Sequence, residues 1–159
     1  MSTSDSIEPY PYNTPPWRHS HTATSPDGAI VAAIEKALEH SMSNPTVGTL
    51  RTSDGLELTR CSPAFIWSDD SQFLAVPRWC RRFGFFLRQR LVIVDRASRA
   101  VYASPFTHWL LLPQTFERGR LEVLVSDRRG ISWPWRDRPL ALEVPPGLSE
   151  FTRLKGVYD

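Results

Sequence analysis

The sequence predicts an all-β fold, an open stack of antiparallel β-meanders with about three blade-like units. Three observations predict it. A turn-and-strand pattern repeats along the chain at an offset of 43 residues, from Ser25 to Ser68. Fourteen prolines punctuate 159 residues, which opposes long helices and favours short strands joined by turns. Short apolar or alternating runs recur between turn residues, as they do in strands.

The repeat has two parts. Ser25-Pro26-Asp27-Gly28 precedes the apolar run Ala29-Ile30-Val31-Ala32-Ala33, and Ser68-Asp69-Asp70-Ser71 precedes Gln72-Phe73-Leu74-Ala75-Val76. Val47-Gly48-Thr49-Leu50, closed by Ser53-Asp54-Gly55, is echoed by Leu91-Val92-Ile93-Val94, closed by Arg96-Ala97-Ser98-Arg99. An Asp in such a turn accepts hydrogen bonds from amides two residues on. A period of roughly 40–45 residues is that of a four-stranded propeller blade. The third copy is weaker: Phe106 to Leu112, a turn at Glu117-Arg118-Gly119, Leu121 to Val125, then Leu140 to Val144. The units run over about 22–60, 61–103 and 104–145.

Residues 29–42 carry two readings. Apolar positions 30, 33, 34, 37 and 38 have helical spacing, and Ala, Glu and Lys favour a helix. The repeat instead requires two strands with a tight break near Glu35-Lys36, and that reading is taken. The polar, Pro-rich residues 1–16 read as a flexible arm, followed by a single β domain over 17–159 in which Trp17 to Thr24 can supply an edge strand. Trp67, Leu74, Val76, Val92 and Val94 are expected in the core, because alternate strand positions face one layer.

Net charge is +2, with four basic and seven acidic residues in 1–60 but fifteen and ten in 61–159. Of the basic residues all but Lys36 and Lys155 are Arg. Arg's planar fork suits carboxylates, phosphates and aromatic faces, although a GC-rich genome gives the same bias. Residues 1–20 show no signal-peptide pattern, and no run approaches the roughly 20 apolar residues of a membrane span. The expected compartment is cytoplasmic, with Cys61 and Cys80 free.

TSPDG-AIVAA and WSDDSQFLAV resemble the W-S-P-D-G-x-x-L-A-V signature of TolB-like and WD40-like propeller blades. The likeness spans about 22–103 and extends faintly to 144. Asp69-Asp70-Ser71 departs from the usual Pro-Asp-Gly, and three units are too few for a closed ring, so the resemblance implies a partial, unclosed propeller-like scaffold for binding.

No catalytic constellation stands out. Asp69 and Asp70 are adjacent, and strand neighbours point to opposite faces, so they read as turn residues rather than an acid–base pair. His19 and His21 offer half of a metal site; His40 and His108 are distant, and the expectation is no metal and no cofactor. Arg78, Arg81 and Arg82 beside Cys80 would favour its thiolate, against the plainer reading of an incidental cysteine. Neither a nucleophile motif nor a Gly-rich phosphate loop is present.

The segment 78–90 holds five Arg, four aromatics and no acid. It is expected as a long hairpin loop or two extended strand ends. Arg and aromatic residues are enriched at interface hot spots. Arg78, Trp79, Arg81, Arg82, Phe83, Phe85 and Arg88 are therefore candidate partner-binding residues, with Trp79 and Arg82 as anchors. Solvated arginines over a packed aromatic core are the competing reading. Trp133 and Trp135, flanking Pro134 in a turn-rich segment, are a second candidate pair.

The function expected is a non-enzymatic protein-binding module whose partner has an acidic face, such as an immunity or antitoxin protein that blocks a bacterial toxin. The alternatives are a small hydrolase using carboxylates and His108, and a single-stranded nucleic-acid binder. Open sheet edges would also permit self-association.

Overall fold

The computed structural model describes residues 18–39, 45–82, 86–127 and 136–158. The arm predicted over 1–16, His40 and the end of the 29–42 segment (residues 40–42), Phe83, Phe85, Trp133 and Trp135 lie outside them. The described chain forms β1 (His21–Thr24), β2 (Val31–Ile34), β3 (Leu38–Glu39), β4 (Thr46–Thr52), β5 (Glu57–Cys61), β6 (Ile66–Trp67), β7 (Phe73–Arg82), β8 (Phe86–Asp95), β9 (Ala100–His108), β10 (Leu110–Glu117), β11 (Arg120–Asp127), β12 (Arg136–Glu143) and β13 (Thr152–Leu154). A single 3-10 turn, Pro146–Glu150, is the only helical element among the described residues. No helix among them is long and apolar enough to cross a membrane.

The repeated turns have the same bonds. In the first, Ser25 Oγ donates to Asp27 Oδ1 (2.6 Å), Ala29 N donates to that carboxylate (3.0 Å), and Ile30 N donates to Ser25 Oγ (3.1 Å). In the second, Ser68 Oγ donates to Asp70 Oδ1 (2.6 Å), Gln72 N donates to Asp70 (3.0 Å), and Phe73 N donates to Ser68 Oγ (2.9 Å). Gly28 and Ser71 hold the matching left-handed position, at φ 76° and 63°. A third, shorter version closes β4 onto β5, where Thr52 Oγ1 donates to Asp54 and accepts Leu56 N. Asp95 accepts Ala97 N in the turn from β8 to β9. Asx chemistry thus sets the expected turns near Asp27-Gly28, Ser53-Gly55, Asp69-Ser71 and Ala97-Arg99.

Residues 29–39 are two strands rather than a helix. Ile30, Ala32 and Ile34 are buried while Val31 is exposed, a period of two. The chain breaks at Lys36, which has φ 54°, and Ala37 N donates to His19 O beside β1. Tertiary packing overrides the helical spacing and propensity here. β1 pairs with β2 as an edge strand.

One open sheet runs in the order β1-β2-β4-β5-β7-β8-β9-β13, with β3 on β4 and β6 on β7; a second contains β10-β11-β12. All pairings are antiparallel. The first two repeat units run into one sheet, because β5 pairs with β7 at Cys61 and Arg78. The third forms the separate small sheet. Its first strand differs from the sequence reading: Phe106 to Leu112 is split, with β9 ending at His108 and β10 starting at Leu110.

The β7–β8 hairpin is the wall between two cores. Leu74, Val76, Val92 and Val94 face one cluster, which also takes Ile34, Leu50, Leu58, Phe65 and Val101, so the large sheet bends around it. Trp67 packs against that cluster, half-buried, and its Nε1 donates to Ala23 O (2.9 Å). Phe73, Ala75, Leu91 and Ile93 face the opposite cluster with Leu111, Phe116, Leu121 and Val123 of the small sheet. Burial on both faces explains why the two strands read as nearly continuous apolar runs.

Candidate functional site

Beyond its buried half the β7–β8 hairpin continues into the arginine-rich segment. The register runs unbroken from Phe73↔Asp95 to Arg82↔Phe86, so the segment is two extended strand ends rather than a loop. Alternation then sorts its side chains. Arg78, Cys80, Arg88 and Arg90 continue the face that carries Leu74, Val76, Val92 and Val94. Trp79, Arg81 and Gln89 take the other face.

Trp79 is not presented at the surface. It is 2% exposed, opposite the fully buried Gln89. Gln89 Oε1 accepts Leu111 N (2.6 Å), which fixes the start of the small sheet. The reason is geometric: strand alternation puts position 79 on the face of Gln89, Leu91 and Ile93, turned towards the second core, which composition alone does not reveal. Arg81 is exposed. Arg82 lies at the end of β7, and Arg88 is tied to Thr107 through Nε to Oγ1 (3.1 Å) and Nη2 to the carbonyl (2.9 Å).

Arg78 is half-buried and held by Thr59, with Nε donating to its carbonyl (2.9 Å) and Nη2 to its hydroxyl (3.2 Å). Burial lowers the Arg78 pKa, and the neighbouring cations Arg60 and Arg90 lower it further. Among the described residues Arg60, Arg78, Arg81 and Arg90 make no ion pair with a carboxylate. Arg90 Nε and Gln89 Nε2 are buried without a hydrogen-bond acceptor. By contrast Arg51 and Arg96 are neutralised by Glu57 and Asp27, at 3.2 and 2.5 Å.

Sequence reasoning missed a cleft beside Arg78. It has a volume of about 590 Å3 and lies between β5 and the chain after β13; Thr59, Arg78, Lys155 and Val157 are among its lining residues. The chain after β13 returns to the β4–β5 hairpin, where Glu57 N donates to Val157 O (3.1 Å) and Tyr158 bridges Leu56. Arg99 stacks on the Tyr158 ring at 4.1 Å. The one sequence signal was Lys155, a lysine in a chain that otherwise uses Arg almost throughout.

The other candidates resolve into structural roles. Asp70 closes its own turn, whereas Asp69 Oδ2 accepts Arg118 N (3.1 Å), so the two carboxylates serve different partners. His19 Nδ1 lies 2.7 Å from Ala37 O. His21 packs on Phe65 at 4.7 Å between ring centres, and its pKa is lowered by burial and then by Arg18. Among the described residues no three metal-binding side chains cluster. Both cysteines are free; burial pushes the Cys61 thiol up to about 12.

Comparison with protein-family models, with curated proteins and with solved structures finds no match.

Proposed function

We propose that the chain is a protein-binding β module that presents the arginine-bearing end of its β7–β8 hairpin to an acidic partner face. One observation carries this reading: Arg60, Arg78 and Arg90 lie close enough to repel one another, Arg81 is exposed on the other face of the same end of β7, and none of the four has a neutralising carboxylate among the described residues. Clustering like charges raises the energy of the free protein, and a partner's carboxylates relieve it. Arg is also the residue whose fork best matches a carboxylate in two parallel bonds. Immunity and antitoxin proteins are one class that works by such binding, in the cytoplasm, and the free thiols suit a reducing compartment.

The test uses the full chain as bait, with wild type compared to an Arg60→Glu/Arg81→Glu variant. Both side chains are exposed, so the variant should fold normally. A protein retained by the wild type, lost by the variant and released by salt supports the reading. If a toxin gene lies beside this one, neutralisation of its product by wild type alone supports the immunity class. Salt-dependent retention of single-stranded nucleic acid in place of protein would favour the nucleic-acid reading.

A further inference from the structure

We propose that the cleft beside Arg78 is an oxyanion site, taking a phosphate or carboxylate group between the Arg78 guanidinium and the Lys155 ammonium. This goes beyond the binding-module reading, because it names a ligand chemistry and does not need a protein partner.

Arg78 is preset for the task. Thr59 uses Nε and one Nη2 N–H, which leaves Nη1 and the second Nη2 N–H without an acceptor among the described residues. A guanidinium fixed on one edge offers its free edge with little further loss of side-chain freedom. Planar, paired donors of this kind fit two oxygens of a carboxylate or phosphate. Lys155 lines the same cleft from the chain after β13 and has no carboxylate partner among the described residues. It also lines the neighbouring cleft, about 360 Å3, together with Arg99 and Arg153. The one acid among the described lining residues, Glu57, is matched by Arg51 (Nε to Oε2 3.2 Å). Leu154 and Val157 add an apolar flank, so the space suits an oxyanion joined to a small body. The oxygens can belong to a free phosphoester or to an acidic side chain of a partner.

The test is an amide NMR titration of the full chain with inorganic phosphate and, separately, with a six-residue glutamate peptide. Saturable shifts at Thr59, Arg78 and Gly156 with phosphate would support the site and a phosphoester source. The same shifts with the peptide alone would support the site and a carboxylate source. Arg78→Gln and Lys155→Met should each weaken the binding by about tenfold or more, with Arg78→Lys intermediate, as for loss of one charge-assisted hydrogen bond. Lys155 is exposed, so Lys155→Met tests the site even if Arg78→Gln disturbs the sheet. An Arg81→Glu variant, on the opposite face of β7 from Arg78, should still bind the ligand, which separates this site from the protein-binding reading. Absence of local shifts with both ligands, or equal shifts in the wild type and Lys155→Met, would overturn the proposal.

Discussion

The hydroxyl of Ser71 accepts the backbone amide of Asp27 at 2.8 Å, so one repeated turn completes the hydrogen bonding of the other. Ser71 stands where the first turn has Gly28, and it keeps the left-handed backbone at φ 63°. Its hydroxyl thereby offsets the conformational cost that glycine would avoid. The departure from Pro-Asp-Gly thus joins the two units.

Ser71→Ala and Ser71→Gly separate these effects. Ser71→Ala loses the bond and keeps the backbone strain, so it should cost about 1–3 kcal/mol, the scale for a lost hydrogen bond in a buried setting. Ser71→Gly loses the same bond but relaxes the backbone and should cost less. Urea denaturation of both variants checks this; Gly costing more than Ala would mean that the left-handed backbone is not strained, and Ser71→Ala costing nothing would mean that the bond is not made.

Asp27 gives the turn a pH dependence. The Ser25 hydroxyl, the Ala29 amide and Arg96 hold its carboxyl well below the usual range. A lowered carboxyl pKa contributes stability in full above the unfolded value of about 3.9 and loses it as pH falls toward the folded value. The melting-temperature gap between wild type and Asp27→Asn should therefore be widest at neutral pH and shrink in acid. A gap that grows on acidification would refute the assignment.

Leu74 and Trp79 test the two faces of the hairpin wall. Both are buried, in 0% and 2% exposed positions, on opposite sides of β7. Leu74→Ala should cost about 2–5 kcal/mol and Trp79→Ala about 3–5 kcal/mol by chemical denaturation, as large-to-small core changes do. A cost under about 0.5 kcal/mol, the surface-substitution scale, would mean that the side chain is not core.

The cysteines should differ in reactivity. Cys61 is fully buried, its Sγ donates to Leu58 O (3.3 Å), and burial holds the thiol at about 12. An aromatic disulfide reagent should modify the half-buried Cys80 first and reach Cys61 only on unfolding, since the thiolate is the reactive form. Equal native-state rates at both would contradict the burial.

The fold was largely legible because its turns rest on local chemistry. Ser25, Asp27, Ser68 and Asp70 bond within five residues of themselves, so their spacing alone announced the strands between them. The break at Lys36 was visible through the repeat, although local helical spacing opposed it. The site was less legible. Trp79 is buried opposite Gln89, whose side chain bonds Leu111 at the start of the small sheet, and no local pattern carries that. Thr59, Arg78 and Lys155 meet only because the chain after β13 returns to β5, a contact between distant segments that no motif records.

The binding role of the exposed arginines is decided by comparing wild type with Arg60→Glu/Arg81→Glu as baits on one cell extract, with both melting temperatures recorded. The predicted result is a salt-sensitive protein partner held by wild type and lost by the variant, by at least about tenfold as expected for interface arginines, with melting unchanged. The same proteins retained equally by both baits would show that these arginines are merely solvated and would contradict the account.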